Sequence, residues 1–274
     1  MFAGMPQGFF LGPLTFIILI DCLQAACLTH KFVDDTTITE ILRRGSISQM
    51  QTFVDELVQQ AALNGMNVNG KKTKEMVIGP VTKNPPQQLT LSGATVDRVA
   101  TFKLLGVHVS NDLKWAQHVD ATSAKVASRL YFLKQLKRTG APLSDLLCFY
   151  TTVVRPVLEY ACPVWHSSLT VAQSEVLESL QKRALQIIYS NDNYTINMVL
   201  AGIDTLATRR ELISAKFFKR HVLDCNSTLN CLLPAKRDPK ILEKLRDGKP
   251  YEPLKTRTDK FKKSFIPYCL LNYQ

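Results

Sequence analysis

Lys31-Phe32-Val33-Asp34-Asp35-Thr36-Thr37 is the stretch from which the fold is read. β-forming residues lead into and out of two acids, a composition that predicts a strand, a tight turn and a second strand across Leu28 to Ile41. Side chains alternate faces along a strand, so two consecutive carboxylates converge on one ion only where the chain turns. Held that close they repel, and one pKa rises unless a divalent cation keeps both ionised. Magnesium, a hard ion that takes carboxylate oxygens along with substrate phosphates, is the natural candidate. Taken alone, an Asp-Asp pair is more often a solvated turn than a metal site, and the surrounding sequence has to decide.

Upstream, Gly4-Met5-Pro6-Gln7-Gly8 is rich in turn residues, and Phe9 to Ile20 is almost entirely apolar. Pro13 suits the first turn of a helix. Asp21 and Gln24 interrupt the run well short of the roughly 20 residues a bilayer demands, and no Lys or Arg precedes it as in a signal peptide. The run is read as a buried helix. Downstream, Met50, Phe53, Val54, Leu57, Val58 and Ala61 recur at helical spacing from Ser46 until Asn64-Gly65 stops them. Strand-like runs follow at Glu75 to Ile78, Gln88 to Leu91 and Phe102 to Val109, divided by Pro85-Pro86 and Ser92-Gly93. After Trp115 the pattern is helical. Leu177, Leu180, Ala184, Ile187 and Ile188 form an apolar stripe, with Glu178 and Lys182 as an exposed i,i+4 pair. From about residue 224 Pro and Lys become frequent, which predicts loops and short helices.

The chain has 274 residues, 46% of them hydrophobic, enough for one large or two small domains with a buried core. Its 34 Lys and Arg against 23 Asp and Glu give a net charge of +11, which favours polyanionic partners such as nucleic acid or an acidic membrane surface. Seven scattered cysteines without a Cys-x-x-Cys or a histidine at zinc spacing argue against a disulfide framework and a zinc site. They fit a reducing compartment, so the chain is expected to be intracellular, cytoplasmic or nuclear, and not secreted. His108, His118 and His166 lack a second ligand at useful spacing and are read as structural. Cys148, Cys162 and the other cysteines are read as small buried apolar residues.

Five strings in register resemble non-LTR, LINE-type (Jockey-like) retrotransposon reverse transcriptases from motif B onward. Gly4-Met5-Pro6-Gln7-Gly8 with Leu11-Gly12-Pro13-Leu14-Thr15-Phe16 is similar to motif B, and Lys31 to Thr37 to motif C. Asn69 with Lys72-Thr73-Lys74 resembles motif D, and Phe102-Lys103-Leu104-Leu105-Gly106-Val107 motif E. Leu113-Lys114-Trp115 with His118, then Arg155-Pro156-Val157-Leu158-Glu159-Tyr160 and Leu180 to Ala184, also recur downstream in such elements. Any one string is weak evidence; together they are specific.

The resemblance implies an RNA-directed DNA polymerase acting on an RNA template, a DNA primer and deoxynucleotides, with no membrane partner and with the oligomeric state open. Asp34 and Asp35 would be catalytic, metal-binding carboxylates holding Mg²⁺, or Mn²⁺, in a two-metal nucleotidyl transfer. Pro6, Gln7 and Gly8 would lie beside the template base and incoming nucleotide, the glycine permitting close backbone approach. Lys72 would neutralise or protonate the pyrophosphate, with an ordinary surface lysine as the equal alternative. Leu105 and Gly106 would form the primer grip, against the plain alternative of a core strand. Lys125 and Arg129, with Lys134, Lys137 and Arg138, punctuate a thumb helix; since the five do not share one face, only some can track a nucleic-acid backbone, and many are expected to be solvated. Tyr131 and Phe132 are assigned to core packing rather than base stacking.

The expected fold is α+β: a palm portion, a small antiparallel sheet with helices on one face, over residues 1–112, a helical thumb or connection over 113–223, and a basic, loop-rich tail over 224–274. The family's motif A aspartate precedes motif B and has no counterpart here, and Phe9 stands where the family carries a small or polar residue. The chain alone is therefore expected not to polymerise. A segment of an otherwise complete polymerase competes with a non-catalytic nucleic-acid-binding remnant of a transposon and with an inactive relic.

Overall fold

The computed structural model describes residues 12–43, 45–242 and 248–274, and the chain divides into two compact units at Phe102/Lys103. Both mix helices with short strands.

The first unit opens with helix α1 (Gly12–Asp21), Pro13 lying in its first turn, followed by strands β1 (Leu28–Phe32) and β2 (Asp35–Thr39) in an antiparallel hairpin. Helix α2 (Met50–Leu63) ends at Asn64 and Gly65, the latter at φ 70°. Its start lies four residues beyond Ser46 because the Glu40 carboxylate takes up the preceding polar groups, accepting from the Ser48 hydroxyl at 2.7 Å and the Gln49 N–H at 2.9 Å. Strand β3 (Lys74–Glu75) pairs in parallel with β6 (Asp97–Arg98), while β4 (Thr90–Leu91) and β5 (Ala94–Thr95) form a separate antiparallel pair. The parallel pair is pinned by ion pairs along its length, Lys74–Asp97 at 2.5 Å and Arg98–Glu75 at 2.7 Å. Strands β7 (Thr101–Leu104) and β8 (Val107–Ser110) make the last hairpin, whose turn and second strand belong to the second unit. In place of one antiparallel sheet, the described residues thus hold four two-stranded sheets, one of them parallel. Val54, Leu91 and Val96 form the small core of the first unit, with Ile38, Met50, Val58, Val68 and Leu89 packed on it.

The second unit is mainly helical. Helix α3 (Ala116–Arg138) packs most extensively on α7 (Val171–Tyr189). Between them run α4 (Leu143–Phe149), a π-helical segment Tyr150–Val154, α5 (Arg155–Glu159) and α6 (Cys162–Trp165). The π turn stands just before Pro156, which has no N–H to return to the Thr152 carbonyl, and the wider turn relieves that mismatch. Val126, Leu130 and Leu133 of α3 meet Leu177, Ala184, Leu185 and Ile188 of α7 in one cluster, each large aliphatic side chain contributing roughly 1.5–3 kcal/mol. α7 begins at a full capping box, the Thr170 hydroxyl and Gln173 amide satisfying each other's backbone. Helices α8 (Tyr194–Ala201) and α9 (Leu206–Phe217) follow, then short α10 (Pro239–Leu242), α11 (Asp259–Lys262) and α12 (Phe265–Asn272). The tail thus holds the loops and short helices its composition predicts, yet α12 is built into the fold: Cys269, Leu270 and Tyr273 share a core with Phe218, Val222 and Tyr251.

Four further expectations are corrected. Helix α1 is not buried: none of its residues is, and Leu14, Ile17 and Ile18 are each 57% exposed. Tyr131 and Phe132 do not pack in the core but are 59% and 55% exposed, because α3 turns Val126, Leu130 and Leu133 toward α7 instead. Glu178 does not pair with Lys182 at the surface; it turns inward and accepts from the Tyr194 hydroxyl and, at 3.2 Å, from the Leu206 N–H at the start of α9. Of the cysteines, Cys162 and Cys269 are buried, but Cys22, Cys148, Cys225 and Cys231 are exposed, and all seven are free thiols. His118 is buried between Trp115 and Trp165, and burial followed by the neighbouring His108 pushes its pKa down to about 4. No described helix is long and apolar enough to cross a membrane.

Candidate functional site

The β1–β2 register runs from Leu28↔Thr39 to Phe32↔Asp35, leaving Val33 and Asp34 as a two-residue turn. Asp34 therefore occupies the turn and Asp35 opens the returning strand, so the consecutive acids stand at the tip, both exposed. Val33 takes φ 54°, a left-handed backbone that a β-branched residue adopts only at a cost of about 1–3 kcal/mol. Asp34 is not among the residues with positive φ, so the turn strains its first residue and spares the acid. Val33 is itself 57% exposed, and burial of its side chain does not account for that backbone.

One residue before the strand end, the Lys31 ammonium donates to the carbonyls of Ile20 at 2.9 Å and Asp21 at 3.0 Å. These are the last residues of α1, where carbonyls without a partner inside the helix and the negative end of the helix dipole favour a cation. The acidic tip is thereby tied to the helix that follows the Gly4 to Gly8 stretch. The only trace of this role in the sequence is a lysine that follows the helix end by ten residues across a short loop. Pro6, Gln7 and Gly8, like Phe9, lie outside the described residues.

Asp34 and Asp35 supply hard oxygen donors, which suits a divalent cation that completes its shell with substrate phosphates and water. Among the described residues no group of three His, Cys, Asp or Glu side chains gathers to hold a metal ion. The pair fits such an ion as part of a ligand set rather than as a closed site.

Lys72 is exposed on an Asx-type turn: its N–H donates to the Asn69 side chain and carbonyl, each at 3.2 Å, and the Thr73 hydroxyl donates to the same carbonyl at 2.9 Å. Its ammonium meets no partner among the described residues, whereas Lys74 is held by Asp97.

Leu105 and Gly106 form the turn of the β7–β8 hairpin, with φ 46° and 87°, the two positive values that a type I′ turn requires. Leu105 is 43% exposed. The Tyr160 hydroxyl donates to the Leu105 carbonyl at 2.8 Å, and a Cβ at Gly106 would meet the Tyr160 ring at 3.1 Å. The structure thus replaces a continuous core strand with a projecting turn clamped by a tyrosine, a partner visible in sequence only as the last residue of Arg155-Pro156-Val157-Leu158-Glu159-Tyr160.

On α3, Lys125 is exposed, while the Arg129 guanidinium donates to the Val153 carbonyl in the π segment. Lys137 is spent on structure, donating to the Ile188 carbonyl near the end of α7 at 2.7 Å. Lys134 and Arg138 are exposed. The charge is unevenly divided: residues 103–274 hold 26 Lys and Arg against 15 Asp and Glu, whereas residues 1–102 hold eight of each.

Residues 1–109 match the family model of reverse transcriptase (RNA-dependent DNA polymerase). Over 254 residues the chain is 24% identical to the probable RNA-directed DNA polymerase from transposon X-element of Drosophila melanogaster, covering 86% of this chain and 28% of that protein. Over 229 residues it is 24% identical to the probable RNA-directed DNA polymerase from transposon BS of the same organism, covering 78% and 25%. The chain spans about a quarter of the length of these curated relatives. No solved structure matches it. The resemblance to non-LTR retrotransposon reverse transcriptases read from the motifs agrees with these relatives.

Proposed function

We propose that this chain is a reverse transcriptase segment of the retrotransposon type, and that it supplies part of the catalytic centre and the nucleic-acid-holding region of an RNA-directed DNA polymerase. The observation that carries the reading is the two-residue turn that puts Asp34 and Asp35 side by side at an exposed tip, inside the stretch matching the reverse transcriptase family. In this reading the region around the first hairpin is palm and the α3–α7 bundle is thumb.

Asp34 and Asp35 would hold Mg²⁺ or Mn²⁺, which when bound neutralises the phosphates and favours attack by a primer hydroxyl. Val33, fixed in a strained turn, orients the two carboxylates before substrate arrives, so the geometry needs no reorganisation at the moment of reaction. Lys72, whose ammonium meets no partner among the described residues, is available to pyrophosphate. Leu105 and Gly106, clamped by Tyr160, hold the primer strand; Lys125 and Arg129 meet its phosphates. Because the described residues contain no third metal-binding side chain near the acids, the chain alone is expected not to extend a primer.

Titration of Mn²⁺ into residues 1–274 should selectively broaden the NMR resonances of Val33 and Thr36, and D34N/D35N should abolish the broadening. Broadening that is absent, or that survives the substitution, overturns the metal assignment. Template-dependent synthesis by the isolated chain in a primer-extension assay with Mg²⁺ or Mn²⁺ would refute the stated incompleteness.

A second reading, a nucleic-acid-binding remnant without chemistry, draws on the confinement of the entire +11 charge to residues 103–274. It is favoured if salt-dependent binding to RNA or an RNA–DNA duplex is unaffected by Asp34→Ala.

A further inference from the structure

Lys125, Arg129, Phe132 and Leu136 follow one another at four, three and four residues, the spacing of a single helix face. On that face lies a groove of about 430 Å³ lined by Arg129, Phe132, Gln135, Leu136, Phe149 and Val153. Its volume is in the range of small-ligand sites, which pair apolar and aromatic walls with a few polar groups. Phe132 is more than half exposed, with the Tyr131 ring edge-on to it at 5.8 Å and 74°. An exposed aromatic face leaves apolar surface in water and is available to stack. The Gln135 amide has no hydrogen-bond partner among the described residues, leaving a donor and an acceptor at the groove's edge. Arg129 is anchored to the Val153 carbonyl, so its charge is fixed at the rim.

The charge around the groove selects the occupant. Helix α3 carries Lys125, Arg129, Lys134, Lys137 and Arg138 against Asp120 alone, within the unit that holds all of the chain's excess positive charge. A planar apolar face with a hydrogen-bonding edge and an attached anion is the chemistry of a nucleotide in a strand. We propose that this groove takes one unpaired nucleobase of a single-stranded nucleic acid, stacked on Phe132 with its edge at Gln135 and its phosphate near Lys125. The site rests on the reading that the basic unit holds nucleic acid, and it is independent of any chemistry at the acidic tip.

The test is fluorescence anisotropy of the full chain in EDTA, without nucleotide. Its probes are labelled oligouridine and oligodeoxyuridine of about 12 nucleotides, the same strand with abasic positions, and a blunt duplex of equal length. The base-bearing strands should bind about tenfold more tightly than the abasic one, the order expected for a base on an aromatic ring. Phe132→Ala should erase that margin and Phe132→Trp should keep it, with duplex binding unchanged within roughly twofold. RNA and DNA arms that differ identify which strand is preferred; either preference supports the site. Phe132→Ala is at an exposed position, and unchanged Trp115 and Trp165 emission verifies its fold. Equal binding of abasic and base-bearing strands, or no effect of Phe132→Ala, overturns the proposal. So does a Phe132→Ala variant that changes only the apparent mass on gel filtration, which would make the groove a contact between copies. Failure to bind any probe removes the broader nucleic-acid reading and the site with it.

Discussion

Substituting Gly106 by alanine tests whether the β7–β8 turn is a clamped, strained element. At φ 87° alanine pays about 1–2 kcal/mol for a left-handed backbone. Its Cβ would stand 3.1 Å from Tyr160 Cε1 and 3.5 Å from the hydroxyl, so the ring must give by a few tenths of an ångström, which strains the 2.8 Å hydrogen bond to Leu105. Such a bond is worth about 0.5–1.5 kcal/mol, so with part of it forfeited the expected cost is about 2 kcal/mol. Both tryptophans, Trp115 and Trp165, are buried in the second unit, so their emission follows its unfolding. With an m-value of about 2 kcal/mol/M, the urea midpoint should fall by about 1 M. Tyr160→Phe, which removes only the hydrogen bond, should cost about 1 kcal/mol. Adding it to Gly106→Ala should cost less than Tyr160→Phe does alone, because the bond is already weakened. A Gly106→Ala midpoint within about 0.5 kcal/mol of wild type would refute the reasoning, since ordinary surface changes stay inside that range.

Acidification should destabilise the second unit through His118. Its folded pKa, about 4, lies below its unfolded value of 6.5, so the unfolded chain binds the proton first; stability is full above pH 6.5 and is lost as pH falls toward 4, by up to about 3 kcal/mol, and His118→Gln should flatten urea midpoints measured across that window. Gln181, fully buried, accepts from the Tyr150 hydroxyl and donates to the Tyr194 hydroxyl at 2.7 Å and the Asp204 carbonyl at 3.0 Å; Gln181→Leu strands those groups and should lower thermal stability by about 2–4 kcal/mol, a wild-type melting curve contradicting the network. Lys31→Met should leave the second unit unchanged and speed hydrogen exchange in the last turn of α1, by an amount set by the loss of about 1 kcal/mol of capping; unchanged exchange there would show that the lysine does not hold the helix end.

Buried polar groups mark where sequence reading stopped. Arg210 is wholly buried, its guanidinium 5.7 Å over the Trp165 ring and donating to His166 Nδ1 at 3.4 Å and Ser174 Oγ at 3.1 Å. His166 in turn meets Glu211 at 2.8 Å, and Glu211 accepts from Tyr268 of α12 at 2.9 Å. Although burial alone would raise the Glu211 pKa, hydrogen bonds from Tyr273, His166 and Tyr268 hold it below the usual range. Nothing in Thr208-Arg209-Arg210-Glu211 separates the arginine that goes inside from Arg209, which forms a two-pronged ion pair with Glu159.

The sequence by itself determined the strand, turn and strand around Asp34-Asp35, the stop of α2 at Asn64-Gly65, the start of α3 at Ala116 and the stripe of α7, because each follows from contacts within a few residues. Only the tertiary structure decided which faces were covered. Helix α3 has apolar residues on two sides, and packing against α7 buried Leu130 and Leu133 while leaving Tyr131 and Phe132 outside. The apolar run of α1 looked like a core helix, yet among the described residues nothing buries it. Burial is a property of the partner surface, and that surface is assembled from segments far apart in the chain.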